Sequence, residues 1–289
     1  MRAPVLMRAP VHLHYPTVAA LRNESEQPMK VDHNESRRVK YLTATNDEWL
    51  GIVGGASAAV KALTDGYPQG ERAVREFHDK IRADLPRAEG HHRAKRRGNF
   101  GDELDIHSVN RGACDRAWTS STRAIRKGTG ILQLVVDVGA NCSTSPDELR
   151  WRGIAGLSLS EVMARAGYSV EMVAAFAVQN ICSSKNQRVM TSIIVKPRGS
   201  QPDYGLLAAT VALPAFFRVL GFTSIIRAAD NQGIPVDVGL GNYLDVSGVL
   251  PVPDKVSQIF VPQYVISEQT ATDWVNQTVA LLQGVNHVR

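Results

Sequence analysis

The spacing of apolar positions changes character near residue 130. From there on, short apolar runs alternate with longer helical patterns. "ILQLVVD" (131–137) reads as a strand, apolar almost without interruption, as expected of a strand covered on both faces. A helix follows over about 146–166, then a strand over 168–178 and another over 188–196. The polar link 179–187 between those two strands is compatible with a hairpin. Residues 204–228 read as an apolar helix, and 233–253 hold one short strand among turns. Residues 257–263 are strand-like, and 268–284 form an amphipathic helix through Ala271, Val275, Val279 and Leu282. Strands alternating with helices predict an α/β fold, a mostly parallel, doubly wound sheet.

The first 130 residues follow a different pattern. Residues 1–40 are polar and irregular and read as a flexible arm. "MRAP" occurs twice, at 1–4 and 7–10, and Met1, Met7 and Met29 precede the first recognisable element, so an over-called start site also fits. Residues 45–66 predict helix on both sides of Gly54-Gly55, and 68–85 place Val74, Phe77, Ile81 and Leu85 at helical spacing. Residues 91–112 lack a clear period. "CDRAWTSSTRAIRKG" (114–128) reads as a short helix with Arg116, Arg123 and Lys127 on one face. The expected division is therefore an arm (1–40), a helical basic region (41–130) and an α/β domain (131–289).

The candidate chemistry sits where the first strand of that domain ends. Ligands of open α/β sheets bind outside the carboxyl ends of the strands, and Asp137 closes this one. A loop of mostly small residues, 138–144 ("VGANCST"), leads into "SPDE", with Ser145 as N-cap, Pro146 at the first helical position and Glu148 at the third. This is a capping box with proline in its preferred place. Asp137 therefore either ligates a cation or accepts hydrogen bonds from loop amides and fixes the turn.

Strand, acid, small loop, helix, two-strand hairpin and buried helix in this order resemble a von Willebrand factor A domain. That family's metal-ion-dependent adhesion site begins with a D-x-S-x-S loop. The matching positions here are Asp137, Gly139 and Asn141, so the acid is kept and both hydroxyls are replaced. The resemblance implies further ligands from "RGSQPDYG" (198–205), namely Ser200 and Asp203, and an acid such as Asp230 or Asp237. It also implies Mg2+ or another divalent cation. One carboxylate plus an amide is a poor set for such ions, which take several oxygen ligands, and this favours the turn-shaping role. The stretch from "FGDELDI" to "VVDVGAN" is also similar to phage and bacterial proteins with a degenerate version of this domain.

Charge changes the picture only in the N-terminal half. Residues 1–130 hold 22 Lys+Arg against 16 Asp+Glu, and 131–289 hold 11 against 12, which together give the net +5. Arg93, Lys95, Arg96 and Arg97 form a basic run, extended by Arg116, Arg123 and Lys127, that suits nucleic acid or an acidic partner. Asp102, Glu103 and Asp105 follow directly and oppose that reading. Cys114, Cys142 and Cys182 are widely spaced and form neither a disulfide framework nor a zinc motif, which predicts a reducing compartment. The apolar run 204–226 contains Arg218, whose insertion at a membrane centre costs about 2.5–3.5 kcal/mol, and Pro214. It reads as a core helix rather than a membrane span.

No Walker loop, dinucleotide fingerprint or G-x-S-x-G is present, and every histidine but His287 lies at or before His107. The leading expectation is a non-catalytic binding or scaffold protein with a protein partner. It would be cytoplasmic, in a bacterial cell or phage-encoded and virion-associated. The alternatives are a nucleic-acid-associated protein acting through 93–127 and a metal-dependent phosphoesterase-type enzyme at the strand ends.

Overall fold

The computed structural model describes residues 11–82, 93–98, 103–104, 106, 109, 117–123, 130–141, 143–182, 187–237, 239–251 and 256–286. The chain divides into two compact units. The larger takes in residues 1–85, 130–164 and 168–289, and the smaller 86–129 with 165–167. The larger unit therefore holds the N-terminal segment 11–82 together with the α/β elements from 130 onward.

Strand β1 (Val11–Tyr15) alternates apolar and polar residues. It leads to α1 (Val18–Glu26), capped by the Thr17 side chain, and α2 (Asp32–Leu42). The expected arm is thus ordered from residue 11, while residues 1–10 lie outside the described residues. Helix α3 (Asp47–Leu50) ends at Gly51, whose φ of 70° suits glycine, and α4 (Gly55–Asp65) and α5 (Pro68–Arg82) follow as predicted. The smaller unit holds β2 (Arg93–Gly98), β3 (Glu103–Leu104) and β4 (Trp118–Arg123), an antiparallel sheet in the order β2-β4-β3. The helix expected over 114–128 is therefore corrected: its described core is strand. Trp, Thr and Ser-rich "WTSSTR" suits a pleated surface better than a helix.

The larger unit continues with β5 (Ile131–Asp137), α6 (Pro146–Arg165), β6 (Ser169–Gln179), β7 (Arg188–Lys196), α7 (Tyr204–Val211) and α8 (Pro214–Asp230). It closes with β8 (Asn242–Leu244), β9 (Ser257–Val261) and α9 (Glu268–Asn286). The fold is mixed α/β. Its six-stranded sheet runs β1-β7-β6-β5-β9, with β8 on β6. The pairs β1/β7, β5/β6 and β5/β9 are parallel, whereas β6/β7 is the expected antiparallel pair. Strand β8 is antiparallel to β6 through residues 177–179, just beyond the point where Asp137 meets Ala175 and β5 stops. Because β7 occupies the other edge of β6, β8 takes up the edge that β5 vacates.

One face of the sheet buries Leu132, Leu134, Val136, Met172 and Phe176 beneath the helices. On the opposite face a smaller cluster joins Val135, Val173 and Met190 to Val246 and Leu250. Helix α6 approaches closely because it carries glycine at two contacts. A Cβ at Gly153 would lie 2.2 Å from the Val211 carbonyl oxygen, and one at Gly156 would lie 2.7 Å from Val136 Cγ2.

The apolar helix expected over 204–228 is broken at Ala212 and Leu213, where Pro214 starts α8, and the two halves bend by 62°. A π-helical stretch, Phe217–Gly221, follows inside α8. No single described helix is long and apolar enough to cross a membrane. Arg218, 2 % exposed, sits in that stretch and donates to the carbonyls of Trp49 and of Thr144, the latter at 2.6 Å. Its charge is held by backbone dipoles, which is how a buried arginine is tolerated.

A candidate ligand crevice at the strand ends

The chain leaves β5 toward β6 on one side, while β9 lies on the other, so the carboxyl ends of β5 and β9 form a topological switch point. In α/β sheets this is where ligands bind. A cavity of about 90 Å3 opens there, lined by Asp137, Asp245, Ser247 and Gln263, with apolar walls from Val246 and Phe260. Small-molecule sites commonly run to roughly 300–1,000 Å3. This one is sized for a side-chain tip or a few waters rather than a nucleotide.

The loop leading to it is built as the sequence predicts. Ser145 Oγ accepts from the Glu148 amide, and Glu148 Oε2 accepts from the Ser145 amide, both at 3.2 Å, completing the capping box. Asp137 is 3 % exposed. Its Oδ1 accepts from the Gly139 amide at 2.9 Å, and its Oδ2 accepts from the Tyr243 hydroxyl. Gln263 Nε2 in turn donates to the Tyr243 oxygen. This chain ties β5, β8 and the segment after β9 together.

Burial pushes the Asp137 carboxyl up to about 7, outweighing the Tyr243 hydroxyl, the nearby Arg152 and the Gly139 amide, all of which favour the charged form. Burial and the facing Asp137 likewise push the Tyr243 phenol upward, so that it stays a donor. Arg152, itself buried, spends Nη1 on the carbonyls of Gly139 at 2.9 Å and Asp137 at 3.4 Å. A strongly perturbed carboxyl in a crevice marks a candidate functional site.

The structure does not bring the predicted cation ligands into one satisfied set. Asn141 is exposed, and its carbonyl accepts from the Thr144 amide. Exposed Ser200 closes a turn on the Pro197 carbonyl at 2.8 Å, and exposed Asp203 caps α7 by accepting from the Leu206 amide at 3.0 Å. Asp230, 1 % exposed, accepts from the Lys30 and Val31 amides and from Asn34, anchoring α2 to the end of α8. The Asp237 amide donates to the Ile181 carbonyl.

The residues present do not fit the Mg2+ that the resemblance implied. Both Asp137 oxygens already accept hydrogen bonds, and its carboxyl is poised to carry a proton at neutral pH. A side chain at position 139, where the adhesion loop has its first hydroxyl, would meet Phe176 Cβ at 2.9 Å and Tyr243 Cε2 at 3.1 Å. Among the described residues no three His, Cys, Asp or Glu side chains are grouped to hold a metal. The turn-shaping role of Asp137 is the one its geometry supports, and Tyr243 stands against Oδ2 where a cation would need access.

Tyr243, Asp245 and Gln263 were missed in the sequence. They come from the turn-rich segment 233–253 and from the residues following β9, and 106 positions separate Tyr243 from Asp137. Only "GNYLD" (241–245), an aromatic between a turn glycine and an acid, hinted at a strand that could carry them. Of the predicted basic residues, Arg93, Lys95, Arg96 and Arg97 lie on β2 and Arg123 on β4, while Arg116 and Lys127 lie outside the described residues, as do His91, His92, His107, Phe100, Asp102 and Asp105.

Residues 10–285 match the family described as Domain of unknown function (DUF7192), and the chain belongs to that family. No curated protein and no solved structure matches it.

Proposed function

We propose that this DUF7192 member is a non-catalytic binding or scaffold protein, von Willebrand A-like in architecture, that receives a protein partner at the strand-end crevice. The single observation that carries the reading is the closure of Asp137 by Tyr243 and Gly139 beneath an open, polar rim. The buried acid is committed to holding the crevice in shape with Tyr243 and Gln263, and exposed Asp245 and Ser247 form the rim that meets a ligand. Support for the architecture comes from the succession of β5, Asp137, small loop, α6, the antiparallel β6/β7 pair and the buried α7 and α8. The cavity size favours a partner side chain over a free cofactor. A metal-dependent phosphoesterase would need carboxylate oxygens converging on an ion, and among the described residues no three His, Cys, Asp or Glu side chains are grouped to hold one.

The test is photo-crosslinking in extract from cells that naturally make the protein, with the reactive group at Ser247 or Gln263, or at exposed Lys61 as a control. The expected result is a discrete protein adduct from the two crevice positions only, competed by excess unlabelled protein but not by its Ser247→Arg variant. Identical adducts from Lys61, or equal competition by Ser247→Arg, would overturn the reading.

A further inference from the structure

Strand β1 stands at one end of the strand order of the six-stranded sheet and pairs in parallel with β7. Its His12 and His14 are two residues apart, and alternate residues of a strand share a face. His12 lies beside Met190 and His14 beside Ser192. That face is the one away from the helices, where Met190 joins Val173 and Ala175 in the smaller apolar cluster. Leu13 and Tyr15 turn to the other side and pack into the main core. Both histidines stay accessible to solvent. Each nonetheless turns a ring nitrogen onto the same buried atom: His12 Nε2 lies 2.8 Å and His14 Nδ1 3.0 Å from Ser192 Oγ. A hydroxyl donates one hydrogen and accepts another, so one imidazole accepts from Ser192 and the other donates to it. The two rings stand edge to face, 6.2 Å between centroids.

We propose that His12 and His14 form a two-histidine site for a divalent transition-metal ion of the Zn2+ and Cu2+ class at the β1 edge. Imidazole nitrogen is a favoured ligand of Zn2+, Ni2+ and Cu2+, bonded at about 2.0–2.1 Å. A chelate needs two such nitrogens converging on one point at an accessible surface. Two nitrogens within 3.0 Å of a single oxygen meet that condition. The β1/β7 ladder holds the backbone of both residues and Ser192 fixes the direction of both rings, so little ordering remains to oppose binding. Partial burial and the neighbouring His14 hold His12 toward its neutral form, the form that ligates.

Among the described residues no third His, Cys, Asp or Glu side chain joins the pair. The ion therefore keeps positions open for water or for a donor atom of an incoming ligand. The site is chemically distinct from the strand-end crevice. Mg2+ and Ca2+ take oxygen ligands, and Mn2+ stands lowest in the divalent affinity series, so the pair selects Cu2+, Ni2+ and Zn2+ instead.

The experiment is calorimetric titration of the tag-free full chain with Zn2+ in a non-coordinating buffer, with electron paramagnetic resonance of the Cu2+-loaded protein. Outer-shell partners alone typically carry 10–100-fold in metal affinity, so His12→Gln or His14→Gln should each weaken Zn2+ binding by at least about tenfold. His91→Gln/His92→Gln, altering the histidine pair outside the described residues, should leave this site within about twofold. The Cu2+ spectrum should show two imidazole nitrogens in the wild type and one in either single variant. Should a single variant lose its fold by circular dichroism, the wild type alone still decides: Zn2+ should protect His12 and His14 from diethyl pyrocarbonate, read peptide by peptide by mass spectrometry. Failure to take up Zn2+ or Cu2+ saturably, a loss in His91→Gln/His92→Gln equal to that in His12→Gln, or modification of His12 and His14 unchanged by Zn2+ would each overturn the proposal. The histidines would then serve only to pin β1 to β7 through Ser192.

Discussion

In the six-stranded sheet the strands β5, β6 and β7 are apolar on both faces, and the charges near their ends are buried and met individually. Arg152 holds the Asp137 and Gly139 carbonyls, Arg218 those of Trp49 and Thr144, and Arg227 those of Glu24 and Pro28. In the three-stranded sheet charge is gathered along the chain instead, with Lys or Arg at four of the six positions of β2. The larger unit uses arginine to fix backbone and leaves a small shaped crevice. The smaller unit concentrates basic residues along one strand. Substitutions at the buried arginines of the first should lower stability.

The largest effect is expected from Gly153→Ala. Its new Cβ would fall 2.2 Å from one backbone carbonyl oxygen and 2.5 Å from the Ala212 Cα. Neither is a flexible side-chain end, so α6 must move off the α7–α8 break. The loss should exceed about 3 kcal/mol, the upper end for overpacking, and denaturant melts would show it. Next, Arg218→Met removes the donors of two buried carbonyls while keeping much of the apolar stem. A cost of about 3 kcal/mol is expected, since hydrogen bonds to charged groups contribute about 1.5–3 kcal/mol each and the retained stem keeps part of the packing. A neutral result would mean that the π-helical stretch is set by packing alone.

Tyr243→Phe strands Asp137 Oδ2 and Gln263 Nε2 for about 1–2 kcal/mol, and it pushes the Asp137 carboxyl further up by removing its hydroxyl donor. A finer test follows from the direction of that shift. The folded protein holds the Asp137 proton to higher pH than the unfolded chain does. This contribution is therefore fully present below the ordinary carboxylate range and is lost as pH rises from about 4 to about 7. Asp137→Asn should remove that decline from the melting-temperature profile, which for one proton is no steeper than about 1.4 kcal/mol per pH unit. At the small end, Lys61→Gln at an exposed position should shift stability by no more than about 0.5 kcal/mol.

The same contrast decides what the sequence revealed. Strands β5, β6 and β7 were legible because both faces are covered and the apolar runs are long, and α6 because Ser145, Pro146 and Glu148 mark its start. Strand β4 is hard to see in the sequence because the helical spacing of Arg116, Arg123 and Lys127 competes with its Thr- and Ser-rich core. Strand β1 was overlooked although Val11, Leu13 and Tyr15 alternate with two histidines, the period of a half-buried strand. Helix α2 offered no apolar stripe, and its one fully buried residue is Asn34, held by hydrogen bonds to Asp230 and Ile234. Asp137 is conspicuous in the sequence because it closes an apolar strand. Its partner Tyr243 is not, because a pairing across 106 residues leaves no local trace.

The central claim, that Asp137 shapes and latches the crevice and holds no cation, is tested most directly by thermal-shift titration with Mg2+, Mn2+ and Ca2+ on wild type and Asp137→Asn in parallel. Binding to the folded state at a hundredfold excess over the dissociation constant would add about 2.7 kcal/mol. The account predicts no rise in either protein with any of the three ions. A rise in the wild type that vanishes in Asp137→Asn would contradict it and return the strand ends to metal chemistry.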